Sequence, residues 1–268
     1  MASISLTAQM TTNLMSLQST AKLLGMTQER LATGKKVNSA VDDPVAFFDA
    51  QSHYQLANDY ASLKNGMSEA VQTIKAATDT IESLTEVLQQ MKSLAVSAKS
   101  ADAAGVTELV AQYKELQTQL DSLAGDAIYK GINLLGGDSL EVVFNTGGDS
   151  LTVAGTTATS AGLSVTAPGN DWAATADIDA DIVLVEAAVS TLRTTAKTLA
   201  SSLSLVTTRQ NFTDKMIATL KVGADNLTLA DMNEEGANML MLQTRQALGI
   251  QSLSIASQSA QQVLSLFQ

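Results

Sequence analysis

Residues 56–98 read LANDYASLKNGMSEAVQTIKAATDTIESLTEVLQQMKSLAVSA, with apolar residues at alternating steps of four and three. This spacing is the heptad seam of a helix that packs against partner helices, and chance rarely sustains it over about six repeats. The stretch contains no proline and one glycine, Gly66. A continuous helix of this length would extend for about 65 Å, so we expect its partners to come from elsewhere in the chain. The seam residues are Leu56, Tyr60, Leu63, Met67, Ala70, Ile74, Ala77, Ile81, Leu84, Leu88, Met91, Ala95 and Ala98.

The same seam recurs on both sides of this stretch and predicts further helices. We expect helices over about residues 7–33, 107–124 and 178–221, and a last helix from residue 229 or 231. Glycines at 34, 125 and 223 are placed to end the first three of them. The last helix also carries apolar residues outside its seam, namely Leu240, Leu242, Leu248, Ile250, Leu264 and Leu266.

In the middle of the chain, the spacing of the apolar residues changes from that of a helix to that of a β-strand. SLEVVFN and SLTVAG, on either side of the turn TGGD at 146–149, predict a β-hairpin. Residues 155–176 are rich in small and polar residues and indicate an exposed loop or small flap. We expect Trp172, the single tryptophan, to pack this flap onto the helices.

The two ends of the chain are matched in charge. Residues 1–21 and 246–268 carry no charged side chain, and residues 1–41 and 223–268 have net charges of +3 and −3. The whole net charge of −11 therefore lies on residues 42–222. We predict a mainly α-helical fold in which the N-terminal and C-terminal halves pair antiparallel. Residues 1–41 and 223–268 then form terminal helices that are buried together, and residues 42–222 form a helical rod domain with a small β/loop insert at about 136–177.

Composition excludes several classes of function. A net charge of −11 and a pI of about 4.4 argue against nucleic-acid binding. There is no cysteine for a thiolate metal site and one histidine, His53, which argues against an enzyme or a metal centre. We expect no cofactor. We expect no secretory signal, because the N-terminus lacks a basic segment followed by a continuous apolar one. We expect no membrane insertion, because 11 of the 23 residues in 246–268 are Gln or Ser.

Asp42 and Asp43 are adjacent carboxylates, which raises the question of a metal or acid/base site. Aspartate is also a leading helix-cap residue, and Pro44 suits the first turn of a helix. No other ligand type lies nearby in the sequence. We therefore favour a turn followed by a cap over a catalytic or metal-binding pair.

Several motifs resemble bacterial flagellin. ERLATGKKVNSAVDDPVAF (29–47) is similar to the family's N-terminal motif, and LQQMKSLAVSA (88–98) is similar to its rod motif. YKGINLL (129–135) resembles an aromatic-Asn-Gly loop with Lys130 in place of the asparagine. LQTRQALGIQSLSIASQSAQQVLSLF (242–267) resembles the C-terminal signature of the family, and its sequence is similar to that of alphaproteobacterial members.

The resemblance implies a homo-oligomeric helical filament used for motility, secreted through a type III export apparatus with the help of a flagellin chaperone. Hook-associated and cap proteins would be its other partners. The terminal helices would form domain D0, disordered in the monomer, and the rod domain D1, with outer domains D2 and D3 absent. We expect a D0–D1 turn at Asn38, Asp42, Asp43 and Pro44. The expected subunit interface comprises Leu14, Leu17, Leu24, Leu31, Leu253, Ala256, Ala260, Val263, Leu264 and Phe267.

The rod motif carries one further implication. In flagellins that activate the toll-like receptor for flagellin, it resembles L-Q-R-x-R-E-L-A, whose first arginine contacts the receptor with support from a glutamate on the next helix. Here Gln90 stands at that arginine, Ser93 replaces a glutamate, and Gln112 stands at the second-helix position. We therefore expect weak recognition by that receptor.

Two alternatives have different functions. A hook–filament junction protein shares the terminal helices but usually has a longer middle. A secreted coiled-coil binding protein would have apolar seams without uncharged ends.

Overall fold

The computed structural model describes residues 8–266, apart from the side chains of Gln9 and residues 263–266. Within them the chain forms five α-helices and one β-hairpin, so the expected mainly helical fold with a small β excursion is confirmed. Strands β1 (Leu140–Val143) and β2 (Ser150–Val153) pair antiparallel, and a 3₁₀ turn spans Gly169–Trp172. The helices are α1 (Ala8–Thr33), α2 (Pro44–Ala98), α3 (Ala103–Asp126), α4 (Thr175–Thr228) and α5 (Met232–Leu266).

The described chain divides into two compact units. The middle unit spans Leu56–Ala218, and the terminal unit comprises the described residues up to Gln55 together with those from Thr219 onward. The first turns of α2 and the last turns of α4 therefore group with the terminal helices. Our expected boundaries lay nearer the chain ends, after residue 41 and before residue 223.

The core of the middle unit is built on the heptad seam of α2. The seam is confirmed, because its residues from Met67 to Ala98 are buried. The seam of α4 packs into the same core, and α3 adds Tyr113 and Leu120. Lys64 Nζ lies 2.6 Å from Asp214 Oδ1, whereas Lys99 forms an ion pair with Asp179. Residues later in α2 thus contact residues earlier in α4, as expected for antiparallel halves.

The segment 155–176 is the irregular flap that was one of the two expectations, and the other, an exposed loop, was wrong. Ala158, Leu163 and Val165 are buried in the core. The Thr156 amide donates to the Leu134 carbonyl at 2.7 Å, and the Ala158 amide donates to the Leu135 carbonyl at 2.8 Å. Small residues suit this segment because they let its backbone approach the 133–136 turn closely enough to hydrogen-bond.

Trp172 packs this segment onto the helices, as expected. Its ring meets Tyr113 edge to face, with centroids 5.1 Å apart. The indole Nε1 donates to Asp181 Oδ2 at 2.7 Å, and the Gly169 amide donates to the same oxygen at 3.0 Å. Asp181 is itself buried, so both donors satisfy a carboxylate that would otherwise be costly to bury.

Helix α4 does not end at Gly223, contrary to our expectation, and continues to Thr228. A glycine within a helix costs about 1 kcal/mol relative to alanine, which tertiary contacts can offset. Here Ala224 and Thr228 are buried, and the Thr228 carbonyl accepts from the amide of Lys36 at 2.7 Å. These contacts extend the helix beyond its glycine.

Helix α3 is longer than expected at both ends. It begins at Ala103 because Asp102 caps it, with Oδ1 accepting from the Gly105 amide at 2.9 Å. It passes Gly125 and ends at Asp126. The hairpin is confirmed, with its turn closed by the Phe144 amide donating to the Asp149 carbonyl at 2.8 Å.

Candidate functional site

The turn that joins α1 to α2 is organised by the Asp42 carboxylate. Asp42 Oδ2 accepts from the Ser39 amide at 2.9 Å, the Asn38 amide at 3.1 Å and the Ser39 hydroxyl at 3.1 Å. The Ser39 and Asn38 amides hold the pKa of the Asp42 carboxyl below its usual range. The turn is therefore closed by an ionised side chain at neutral pH.

Asp43 has a different role in the same turn. Its Oδ1 accepts from the Ala46 amide at 3.0 Å, which caps α2, and Pro44 is the first residue of that helix. The interpretation of the two aspartates as a turn and a cap is confirmed. Among the described residues, no group of three or more His, Asp or Glu side chains is arranged to hold a metal ion.

Two contacts between α2 and α4 in the terminal unit were not foreseen from the sequence. Tyr54 Oη donates to Asp225 Oδ1 at 2.5 Å, and this hydrogen bond raises the pKa of Tyr54. His53, half-buried on the same helix, lies against Gly223. No sequence pattern signalled this pairing, because the partners are separated by most of the chain.

Helices α1 and α5 pack against each other as an antiparallel pair. The two helices approach closely at Gly249, where an added Cβ would lie 2.6 Å from Leu17 Cδ2. Arg30 Nη1 lies 2.9 Å from Glu235 Oε1, so the end of α1 meets the start of α5. Glu235 is buried, and its other oxygen has no hydrogen-bond partner among the described residues.

All but one of the residues predicted at the subunit interface belong to the heptad seams that the sequence predicts for the first and last helices, and Leu264 is the exception. Leu14 is exposed. Phe267 lies outside the described residues, as do the side chains of Val263 and Leu264. The remaining six are half-buried, namely Leu17, Leu24, Leu31, Leu253, Ala256 and Ala260.

Other apolar side chains of the pair point away from the seam. Leu248 of α5 is 64% exposed and Met15 of α1 is 65% exposed. The sequence signalled Leu248 but did not separate it from Leu242, which is buried in the pair. We give the name outer face to six of the exposed apolar side chains of the pair, namely Met15, Leu23, Leu240, Leu248, Ile250 and Ile255.

In the middle unit, the structure brings Gln90, Ser93 and Gln112 together. All three line one groove of about 820 Å³ between α2 and α3. Its charged lining residues are Glu86 and Glu115, and the lining includes no lysine or arginine. The sequence comparison of the motif therefore identified neighbours in space, although 22 positions separate Gln90 from Gln112.

The outer face raises the question of a membrane. Over the residues that the structure describes, no helix is long and apolar enough to cross one.

The amino-acid sequence was compared with family models and known proteins, and the structure with solved structures. The family model for the bacterial flagellin N-terminal helical region matches residues 4–139. Flagellin FljM of Caulobacter vibrioides is 31% identical over 95% of this chain and 94% of its own length. A flagellin of Brucella melitensis is 30% identical over 100% of this chain and 99% of its own length. Among solved structures, a Bacillus cereus flagellin matches with a TM-score of 0.49 and 19% identity, covering 55% of this chain and 88% of that one.

Proposed function

The chain belongs to the bacterial flagellin family, and we infer that its two compact units divide the work of a filament subunit. It is a structural protein that polymerises into the bacterial flagellar filament, and it therefore works outside the cell. In this proposal the terminal unit joins one subunit to the next, and the middle unit is the stiff part. These correspond to domains D0 and D1.

The outer face carries the proposal for assembly. Leu248, Ile250 and Ile255 are all more than half exposed in a stretch of α5 without any charged side chain. Exposed leucine and isoleucine side chains on an uncharged helix are unfavourable in water, and they mark a surface that becomes buried in a complex. In a filament the occupant of that surface is another copy of the same chain.

The seam residues have a distinct part in this proposal. Leu17, Leu253 and Ala256 hold α1 against α5 within one subunit, and the outer face contacts neighbouring subunits. The expected interface is thereby divided into residues that support it from within the subunit and residues that contact a neighbouring subunit. Its members are Leu14, Leu17, Leu24, Leu31, Leu253, Ala256, Ala260, Val263, Leu264 and Phe267. Leu14, which is exposed, belongs with the contact residues.

The middle unit supplies stiffness. Its core runs along α2 from Met67 to Ala98 without a break in the seam, so bending would separate packed side chains along the whole helix. The buried Trp172 and Asp181 close this core by holding the segment before α4. Such a unit transmits torque along a filament without needing a catalytic site.

We extend the proposal to the partners of the exported chain. The exposed apolar face would promote aggregation inside the cell, which favours delivery by a flagellin chaperone to the type III export apparatus. The same face would then meet the hook-associated and cap proteins at the two ends of the filament. Co-purification of the full-length chain with a candidate chaperone, and its loss in an Ile255→Asp variant, tests this extension.

Electron microscopy of the purified full-length protein after salting out tests the main proposal. High salt strengthens apolar burial, so we expect long, regular filaments. The matched control is the same protein at low salt and low concentration. Dispersed particles under all polymerising conditions would contradict a filament subunit and favour a secreted coiled-coil binding protein.

A further inference from the structure

A second apolar surface in the terminal unit lies apart from the outer face. Val41, at the tip of the turn between α1 and α2, is 92% exposed. Val45 and Phe48, in the first turns of α2, are 71% and 59% exposed. We call these three side chains the knob. Val45 and Phe48 lie one turn apart on α2, and Val41 precedes them in the turn. Single exposed apolar residues are ordinary, but three so close along the chain mark a contact surface.

The turn holds the knob in a fixed position. The Asp42 carboxylate fixes the backbone of Asn38 and Ser39, and the Val41 amide donates to Ser39 Oγ at 3.3 Å. Asp43 then fixes the start of α2, from which Val45 and Phe48 project. A surface that is already ordered loses little conformational entropy on binding, so this construction favours docking.

A small cavity lies on a different face of the same helix. It has a volume of about 220 Å³, against about 30 Å³ for one molecule of liquid water, so it can hold a large apolar side chain. Its walls are mostly hydrocarbon, from Val37, Phe47, Ala50 and the ring of Tyr54. Lys35, Asn38, Gln51 and Thr228 complete the lining. We call this the Tyr54 cavity.

None of the three knob residues lines the cavity of its own chain, although the Phe48 ring packs edge to face against Phe47 with centroids 5.5 Å apart. Phe47, Ala50, Gln51 and Tyr54 follow the spacing of one helix face, and Phe48 is offset by about 100° from Phe47 on an α-helix. A knob and a cavity on different faces of one molecule produce a head-to-tail contact, which extends into an open helical polymer when it does not close into a ring. This is the type of contact that a filament requires.

We propose that the knob of one subunit docks into the Tyr54 cavity of a neighbouring subunit. This inference rests on the proposed filament function, because a second copy of the chain is the occupant. It adds a contact that the α1/α5 pair does not provide and assigns the turn at Asn38–Pro44 a role in assembly. The two aspartates act as positioning residues that present the knob.

Disulfide cross-linking tests the contact directly, because the chain contains no cysteine of its own. Copies with Phe48→Cys are mixed with copies carrying Gln51→Cys, polymerised at high salt and mildly oxidised. A disulfide needs Cβ atoms about 3.5–4.5 Å apart, so it reports close approach. We expect the disulfide-linked peptide pair, identified by mass spectrometry, in filaments and at least tenfold less of it in unpolymerised protein.

The matched control replaces Gln51→Cys with Ser52→Cys, an exposed position on α2 outside the cavity lining. Filaments that form normally but cross-link Phe48→Cys no better to Gln51→Cys than to Ser52→Cys would overturn the proposal while leaving the filament function intact. Failure of the unsubstituted chain to polymerise would instead refute the filament function, and the docking proposal with it.

A second measurement uses assembly itself. Phe48→Ser should raise the critical monomer concentration for polymerisation about tenfold, because it removes apolar area buried at every contact. Phe48→Leu should leave it within about twofold. Both variants should keep the circular dichroism of the parent, since Phe48 is exposed in the subunit. An unchanged critical concentration for Phe48→Ser would contradict the proposal.

Discussion

Lys92 Nζ lies 2.7 Å from Glu186 Oε1, and this pair marks the register of α2 against α4. Seven residues further along α2, Lys99 meets Asp179, which lies seven residues earlier on α4. The step of seven on both helices is the heptad repeat seen in three dimensions. The two halves of the chain therefore keep one antiparallel register over this part of the middle unit.

We predict that this register is determined by the core and not by its ion pairs. The side chains of Lys92 and Glu186 are both about half exposed, so Lys92→Gln should lower the free energy of unfolding by less than about 1 kcal/mol. Leu88, one turn away, is fully buried, and Leu88→Ala should cost roughly 2–5 kcal/mol. Urea unfolding followed by circular dichroism compares the two. Equal losses would show that the ion pairs determine the register.

We predict that Gly249 is required for close packing of the α1/α5 pair. Gly249→Ala places a Cβ 2.6 Å from Leu17 Cδ2, and overpacking of this kind costs about 1–3 kcal/mol. Filaments of this variant should depolymerise at a lower temperature. Gly236→Ala is the matched control on the same helix, because its added Cβ meets nothing within 4 Å. If filaments of both variants depolymerise at the same temperature, Gly249 is not required for close packing of α1 against α5.

We predict a loss of stability in alkaline solution. Burial raises the pKa of Tyr113, and a hydrogen bond to Glu69 raises the pKa of Tyr129. The unfolded chain therefore releases these phenolic protons first, near the ordinary tyrosine pKa of about 10. The resulting stabilisation is fully present below that pH and is lost as pH rises through the folded-state pKa.

The measurement is the free energy of unfolding in urea between about pH 8 and pH 11. The parent should lose stability more steeply with pH than Tyr113→Phe, which has no proton to release at this position. Identical slopes for the two proteins would show that Tyr113 does not contribute.

We predict weak activation of the toll-like receptor for flagellin. The groove that holds Gln90, Ser93 and Gln112 carries Glu86 and Glu115 and no basic lining residue. Glutamine cannot make the charged bidentate contact of arginine, and loss of such a residue from an interface can cost about 2 kcal/mol or more. A reporter-cell dose response should improve in a Gln90→Arg, Gln112→Glu double variant. Full potency of the unsubstituted chain would refute this expectation.

Much of the fold follows from periodicity alone. The seam of α2 predicted its buried residues because a 4-3 repeat is a direct consequence of helix geometry. The ends of α3 and α4 were harder, because glycine stops a helix only where tertiary contacts do not continue it. Ala224 and Thr228 are buried and extend α4 beyond Gly223, and no local pattern indicates that burial.

The functional surface was predicted only in part. The roles of Asp42 and Asp43 follow from local chemistry, which the sequence displays. The sequence did not distinguish Leu242, which is buried, from Leu248, which is exposed, because α5 is apolar on several sides. The Tyr54 cavity was not predicted, because one of its walls is Thr228, which only the fold brings near α2.

The central claim is that the outer face of the α1/α5 pair joins subunits, and Ile255→Asp tests it most directly. Ile255 is 55% exposed, so the substitution should leave the circular dichroism of the subunit unchanged. In a filament it buries an unpaired carboxylate at every contact, which costs several kcal/mol each time. The matched control is Ile255→Leu, which keeps an apolar side chain of similar size at the same position. Electron microscopy should show filaments for Ile255→Leu and none for Ile255→Asp, and filaments of normal length from Ile255→Asp would contradict the account.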